Sequence, residues 1–372
     1  MLRVVAVSVF GGIDPATPLR FAQDDGRYFL AYQYAFQLSP LMIIRHLDRY
    51  CMKENVAIGD KYRLAGILTV PDIGKSPYPA VVLVPGSGAT DKDGRNESQG
   101  LPNKFFADIA DGLASHGIAS IRYDKRIYTY PTLAKDLAGT LTVHEDIIED
   151  ALLAADLIRA DPRIDNHRIF LLGQSQGGAL APRIASESGN GYAGIILTAG
   201  TPRKMAEIVQ EQLTGITANL KGIIKWIATW QVRKILRKLD QLDTYSEEQA
   251  KQVVIIDERI GGVEMTAHYI REMDSKPAVQ YLKTFTKPIL ILQGEKDFMV
   301  SPEKDFQKYQ ELLADHPAAT FILYPSLNHL FMKSIYGDIS KAVEEYQVKQ
   351  HVEPQVITDI ASWITTVSAK SA

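Results

Sequence analysis

The 372 residues suffice for two ordinary domains, or for one large α/β domain carrying an insertion, and amply support a buried core. Lys and Arg number 41 against 44 Asp and Glu, a net charge of −3 that lacks the basic footprint of a dedicated nucleic-acid binder. A single cysteine, Cys51, excludes an intrachain disulfide and a Cys-rich zinc cluster, and no apolar run reaches the roughly 18 residues of a membrane-spanning helix.

Near the N-terminus, an apolar run from Val4 to Phe10 follows Arg3. It sits at the short limit for a signal segment and lacks an Ala-x-Ala cleavage site, so a cytoplasmic protein is expected. Residues 28–50 mix aromatic and aliphatic side chains at loosely helical spacing. They predict an N-terminal helical extension over residues 1–53, docked on the main domain or forming a homodimer contact.

From Val56 onward, strand-like and helix-like segments alternate, the signature of an α/β sheet. Apolar runs predict strands at 64–70, 80–84, 118–123, 169–172, 194–198, 289–292 and 320–324. Helices are expected over 105–116, ending at Gly117, and over 143–160, ending at Asp161-Pro162. Pro302 opens another as a first-turn proline, and 356–369 reads as the closing helix. Residues 202–286 show helical composition and no nameable strand, so they are expected to form a helical cap inserted into a core of 54–201 and 287–372.

The strongest chemical signal is Gly173-Gln174-Ser175-Gln176-Gly177-Gly178, placed between a predicted strand and a predicted helix. A G-x-S-x-G in that context puts the serine on a sharp, strained turn, with glycines admitting close backbone approach and helix amides aimed at the reaction centre. A serine hydroxyl needs a base, and the chain order for such a turn is Ser, acid, His. Of His268, His316 and His329, only His329 follows the last strand, at the sheet edge where the loops gather. Asp297, in the turn after 289–292, is the expected acid, with Glu295 its nearest competitor. Asp124 precedes the serine and fits the order badly; a loop salt bridge with Lys125 or Arg126 is expected of it. The oxyanion needs two backbone donors: the Gln176 amide, and one from Pro85-Gly86-Ser87-Gly88, where Ser87 is favoured and Gly86 is the alternative.

The ordered set of Pro-Gly-Ser-Gly, Arg122-Tyr123-Asp124-Lys125-Arg126, the serine turn, Gly294-x-x-Asp297 and His329 resembles the α/β-hydrolase superfamily, in particular bacterial serine esterases, over about residues 54–370. The resemblance implies a mostly parallel eight-stranded sheet flanked by helices, an acyl-enzyme mechanism on a small-molecule ester, and no cofactor or metal. Two positions depart from the usual pattern: Ile127-Tyr128-Thr129-Tyr130 stands where Gly-x-Gly often follows, and Pro85 stands where a histidine often precedes the oxyanion glycine. Acyl thioesterase, acyltransferase or peptidase action with the same triad are alternatives, as is a catalytically silent binding protein.

Rival motifs fail on single positions. Gly74-Lys75-Ser76 has Thr69 where a P-loop needs glycine, His144-Glu145 has Ile148 where a zincin needs histidine, and Gly86-Ser87-Gly88 has Asp91 where a dinucleotide fingerprint needs glycine. Between Gln212 and Leu239 there is no acid, while Lys221, Lys225, Arg233, Lys234, Arg237 and Lys238 interleave with isoleucines, Trp226 and Trp230. The expectation is a cap helix burying its apolar face over the pocket, with Tyr128, Trp226 and Trp230 as substrate contacts. Its rival is a 221–239 surface for an anionic interface.

Overall fold

The structure is a computed structural model that describes residues 51–96, 100–137, 139–256 and 264–371. The apolar runs form β1 (Cys51–Ile58), β2 (Leu64–Pro71), β3 (Tyr78–Val84), β4 (Ala119–Tyr123), β5 (Ile164–Gln174) and β6 (Gly194–Thr198). Two short strands, β7 (Val254–Ile256) and β8 (Met265–Thr266), precede β9 (Ile289–Gly294) and β10 (Ala319–Tyr324). The main sheet has eight strands in the order β1-β2-β4-β3-β5-β6-β9-β10. β1 and β2 pair antiparallel, as do β2 and β4, and every later pairing is parallel.

Parallel neighbours need crossovers, which α1 (Phe105–Ala114), α2 (Glu149–Arg159) and α3 (Gln176–Glu187) supply. Side chains alternate between the two faces. Val82, Val84, Ile169, Leu171, Ile289 and Ile291 join the core under α2 and α3. Val81, Leu83, Phe170, Leu172, Leu290 and Leu292 face α1 and the closing helix. Burial on both faces explains why these strands read as unbroken apolar runs.

Strand β1 departs from the expected extension boundary, because residues 51–53 are strand and not helix. As an antiparallel edge strand, with Met52 and Lys53 exposed, it carries little apolar alternation to betray it. The helix or dimer contact expected from residues 28–50 lies outside the described residues.

Between β6 and β9 run α4 (Met205–Ala218), α5 (Gly222–Asp240) and α6 (Ala267–Ser275). The β7–β8 pair here was not expected; strands of three and two residues are too short to leave a periodic signal. Met205, Val209 and Leu213 of α4 and Tyr269, Ile270 and Met273 of α6 continue the core that lies under α2 and α3. Arg183 of α3, almost fully buried, pairs with Glu272 of α6 at 2.7 Å, and Arg203 pairs with buried Asp305 at 2.6 Å.

Helix α5 corrects the expectation for its tryptophans. Ile235 and Leu239 are its buried residues, with Val232 and Leu236 packed partly behind them. Trp226 and Trp230 are 68% and 51% exposed, beside exposed Ile223, Ile224 and Ile227. Among the described residues only the C-terminal half of the helix meets the core, so its apolar stripe is divided between a packed half and an exposed half. The closing helix is α7 (Pro354–Ser371). Among the described residues no helix is long and apolar enough to cross a membrane, and no cluster of metal-ligating side chains is present.

Candidate active site

The C-terminal ends of the parallel strands bring five sequence-distant loops to one edge, the usual ligand edge of an open α/β sheet. Gly86 and Ser87 follow β3, Asp124 follows β4, Ser175 follows β5, Asp297 follows β9 and His329 follows β10.

Ser175 has φ 55° and ψ −116°, in the left-handed half of backbone space that a side chain rarely adopts. Such a conformation costs on the order of 1–3 kcal/mol and persists only where the surroundings hold it. Here the Ser175 amide donates to the Thr198 carbonyl at 2.8 Å, and its carbonyl accepts from Ala179 at 3.0 Å. A Cβ at Gly177 would lie 2.5 Å from the Pro85 carbonyl oxygen, so only glycine lets the turn and the β3 loop meet. At Gly86, a Cβ would lie 3.0 Å from that of Ser175, which puts the predicted oxyanion loop against the serine. The amides of Ser87 and Gln176 donate to no acceptor among the described residues. Gln176 is buried and Ser87 exposed, and Ser175 itself is partly accessible.

The expected acid and base are in contact. His329 Nδ1 donates to Asp297 Oδ2 at 2.7 Å, and both residues are buried. Asp297 Oδ2 also accepts from Gln293 Nε2 at 2.5 Å, and Oδ1 accepts the amides of Met299 and Val300 at 2.8 and 2.9 Å. Four donors thus hold the carboxylate. With Nδ1 carrying the proton, Nε2 of a neutral imidazole is the acceptor, the tautomer a serine hydroxyl requires. Ser175 Oγ makes no hydrogen bond to His329, a contact that in such sites commonly tightens only around substrate.

Asn328 shapes the histidine loop. Its Oδ1 accepts the amides of Leu330 and Met332 at 3.0 and 3.2 Å, while Nδ2 donates to fully buried Glu345 at 2.8 Å. Burial, followed by the charges of Asp297 and Glu345, holds the Tyr346 phenol well above the usual tyrosine range, so it stays neutral beside Asp297. Replacing Asn328 with alanine is expected to cost about 1–3 kcal/mol, since it strips a partner from a buried carboxylate and frees two loop amides. Thermal unfolding should report that loss, together with a lower kcat as His329 loses its seat.

The competing residues go elsewhere. Glu295 is exposed, with Lys296 3.8 Å away; His268 lies 3.4 Å from Glu247, and His316 meets the Phe285 carbonyl at 2.9 Å. Asp124 does not pair with Lys125 or Arg126: it accepts the Lys92 amide at 2.7 Å and lies 3.4 Å from the Lys92 ammonium. Lys125 pairs with Asp146 and Arg126 with Asp150 and Glu149, because helical segments from further along the chain reach them first. Arg122 bonds Asp93 at 3.1 Å and Thr69 at 2.9 Å, pinning the loop that follows Ser87. Tyr128 is half-buried on the short helix Arg126–Thr129 directly after this segment. The sequence reading missed Gln293, Asn328, Glu345, Asp146 and Tyr269, and gave Lys125 another partner. The first two flank motif residues and were in view; the others announce themselves only through partners far along the chain.

Residues 94–334 match the family model described as serine aminopeptidase, S33 (Hydrolase_4). Esterase EstD of Thermotoga maritima is 33% identical over 306 residues, which cover 81% of this chain, and the chain spans 65% of that protein's length. Among solved structures, Est1E from Butyrivibrio proteoclasticus has a TM-score of 0.53 at 14% identity, covering 85% of this chain and 99% of that one. A proline iminopeptidase from Mycobacterium smegmatis has a TM-score of 0.51 at 15% identity, covering 86% and 100%. At those identities the structural likeness concerns the fold alone. The sheet order and the family match agree, and the chain belongs to the serine aminopeptidase S33 family of α/β-hydrolases.

Proposed function

We propose that the protein is a serine carboxylester hydrolase acting on short- to medium-chain acyl esters through an acyl-enzyme intermediate. The observation that carries this reading is the buried Asp297–His329 hydrogen bond at the same sheet edge as the strained Ser175 turn. The likeness to esterase EstD supports the choice of ester chemistry. Ser175 Oγ attacks the ester carbonyl as His329 Nε2 takes its proton, and Asp297 stabilises the imidazolium. The Ser87 and Gln176 amides receive the oxyanion, which collapses to expel the alcohol, protonated by His329. Water activated by the same histidine then releases the acid. No step calls on a metal or cofactor.

Residues 202–286 serve in this reading as the cap that shapes the acyl pocket, with Tyr128 on its wall. The exposed Ile223, Ile224, Trp226, Ile227 and Trp230, set among six basic residues, support the 221–239 surface as a contact for an anionic interface rather than a pocket lining. Amide hydrolysis is the second reading, favoured by the family's name.

Rates on p-nitrophenyl esters of increasing acyl length, beside the matching p-nitroanilides, test the proposal. Ester turnover with an optimum at short or medium length is expected, and activity confined to the anilides would replace the esterase reading with a peptidase one. If α5 binds an interface, the rate on the longer esters rises abruptly past their solubility limit; a smooth curve would remove that contact.

A further inference from the structure

Lys125 is 1% exposed, and its ammonium group is not spent on solvent or on the triad. Nζ donates to the Gly86 carbonyl at 3.0 Å and lies 3.1 Å from Asp146 Oδ2, itself buried. That same carboxylate oxygen accepts the Tyr269 hydroxyl at 2.9 Å, and the Tyr269 oxygen accepts Gln176 Nε2 at 3.1 Å. Burial, and then the neighbouring Asp146, hold the Tyr269 phenol well above the ordinary tyrosine range, so it keeps the proton it donates. The chain of contacts begins at Gly86 and ends at Gln176, the two segments from which the oxyanion donors come.

The geometry of the peptide unit gives the first contact a purpose. The Gly86–Ser87 bond is not among the cis peptides, so its carbonyl and the Ser87 amide point in opposite directions across one rigid plane. Holding the Gly86 oxygen toward Lys125 turns the Ser87 N–H the other way. A cation on the carbonyl also polarises the peptide and strengthens that N–H as a donor. A buried lysine and aspartate are costly to desolvate, and an apolar pair of similar volume often serves stability as well or better. At the other end, Tyr269 sits in the first turn of α6, whose N-cap Thr266 accepts the Tyr269 amide at 3.3 Å.

We propose that Lys125 is a positioning residue for the oxyanion hole, aiming the Ser87 amide through the Gly86 carbonyl, and that Asp146 and Tyr269 couple this half of the hole to the Gln176 half and to helix α6. The inference rests on the esterase reading of Ser175.

The test compares Lys125→Met, the double variant Lys125→Met/Asp146→Leu, and Tyr269→Phe, with every rate expressed per active site titrated by a fluorophosphonate. Loss of a complete oxyanion donor lowers kcat by about 100- to 1000-fold. Misaiming one donor should therefore lower it by about 10- to 100-fold in Lys125→Met, with KM moving by no more than about threefold. Binding of a trifluoromethyl ketone, whose adduct places its oxyanion in the hole, should weaken in parallel. Tyr269→Phe keeps the Gly86 contact and should lose less. The double variant removes both buried charges, so it separates the roles and carries the test if Lys125→Met fails to fold. Recovered thermal stability with kcat still depressed is the expected result. Recovery of stability and kcat together, or ketone affinity equal to wild type, would overturn the proposal and leave a merely structural ion pair. Activity or fluorophosphonate labelling that survives in Ser175→Ala would overturn the site reading itself, and the inference with it.

Discussion

Ser175→Ala should abolish turnover of p-nitrophenyl esters, with kcat falling by about a millionfold, the scale on which loss of the nucleophile acts in serine hydrolases. In the proposed mechanism, removal of Oγ takes away the atom that bonds to the acyl carbon. The fold should not suffer, because the turn is held by backbone contacts: the Ser175 amide to Thr198, its carbonyl to Ala179, and Gly177 against the Pro85 carbonyl. Alanine still occupies a positive-φ position, at a cost similar to that of serine. The measurement is kcat alongside the thermal unfolding midpoint and fluorophosphonate labelling. Retained hydrolysis by a folded variant would remove Ser175 from the mechanism.

Asp297→Asn should lower kcat by about 10⁴-fold while leaving KM nearly unchanged. The reason lies in the four donors that converge on this carboxylate. An asparagine oxygen facing the Met299 and Val300 amides turns its NH₂ toward Gln293 Nε2 and the histidine. Donor would then meet donor at His329, unless the ring gives up its Nδ1 proton and carries it on Nε2 instead. That tautomer cannot accept the serine proton. Steady-state kinetics, with NMR of the imidazole nitrogens, checks both halves of the argument; a kcat within about tenfold of wild type would show that Asp297 does not set the tautomer.

Much of the site could be read locally because its signals are local. The Gly173 to Gly178 turn is marked by its glycines within six residues, although distant carbonyls hold it, and its place between a strand and a helix is visible in the flanking apolar pattern. Asp297 and His329 were proposed from their position after strands: β9 announces itself because both of its faces are buried, while edge strand β10, mostly half-buried or exposed, still shows as a run of apolar residues. Edge strand β1 lacked that signal, since solvent takes one side of it. The α5 tryptophans misled for a related reason. Composition shows that a helix is amphipathic, but not how much of its length is buried, and among the described residues only the turns near Ile235 and Leu239 are.

The sequence alone therefore determined the alternating α/β plan, the serine turn between a strand and a helix, and a candidate acid and base in chain order, because strand periodicity and the glycine pattern mark each of them. The tertiary structure decided which charges meet. Asp124 took Lys92 instead of its neighbours, and Lys125 was left for Asp146. Tyr269 reached Gln176 across 93 residues of chain and Asp146 across 123. Such pairings depend on where crossovers and the inserted helices come to rest, and a buried polar group accepts whatever partner the packing brings within hydrogen-bond reach.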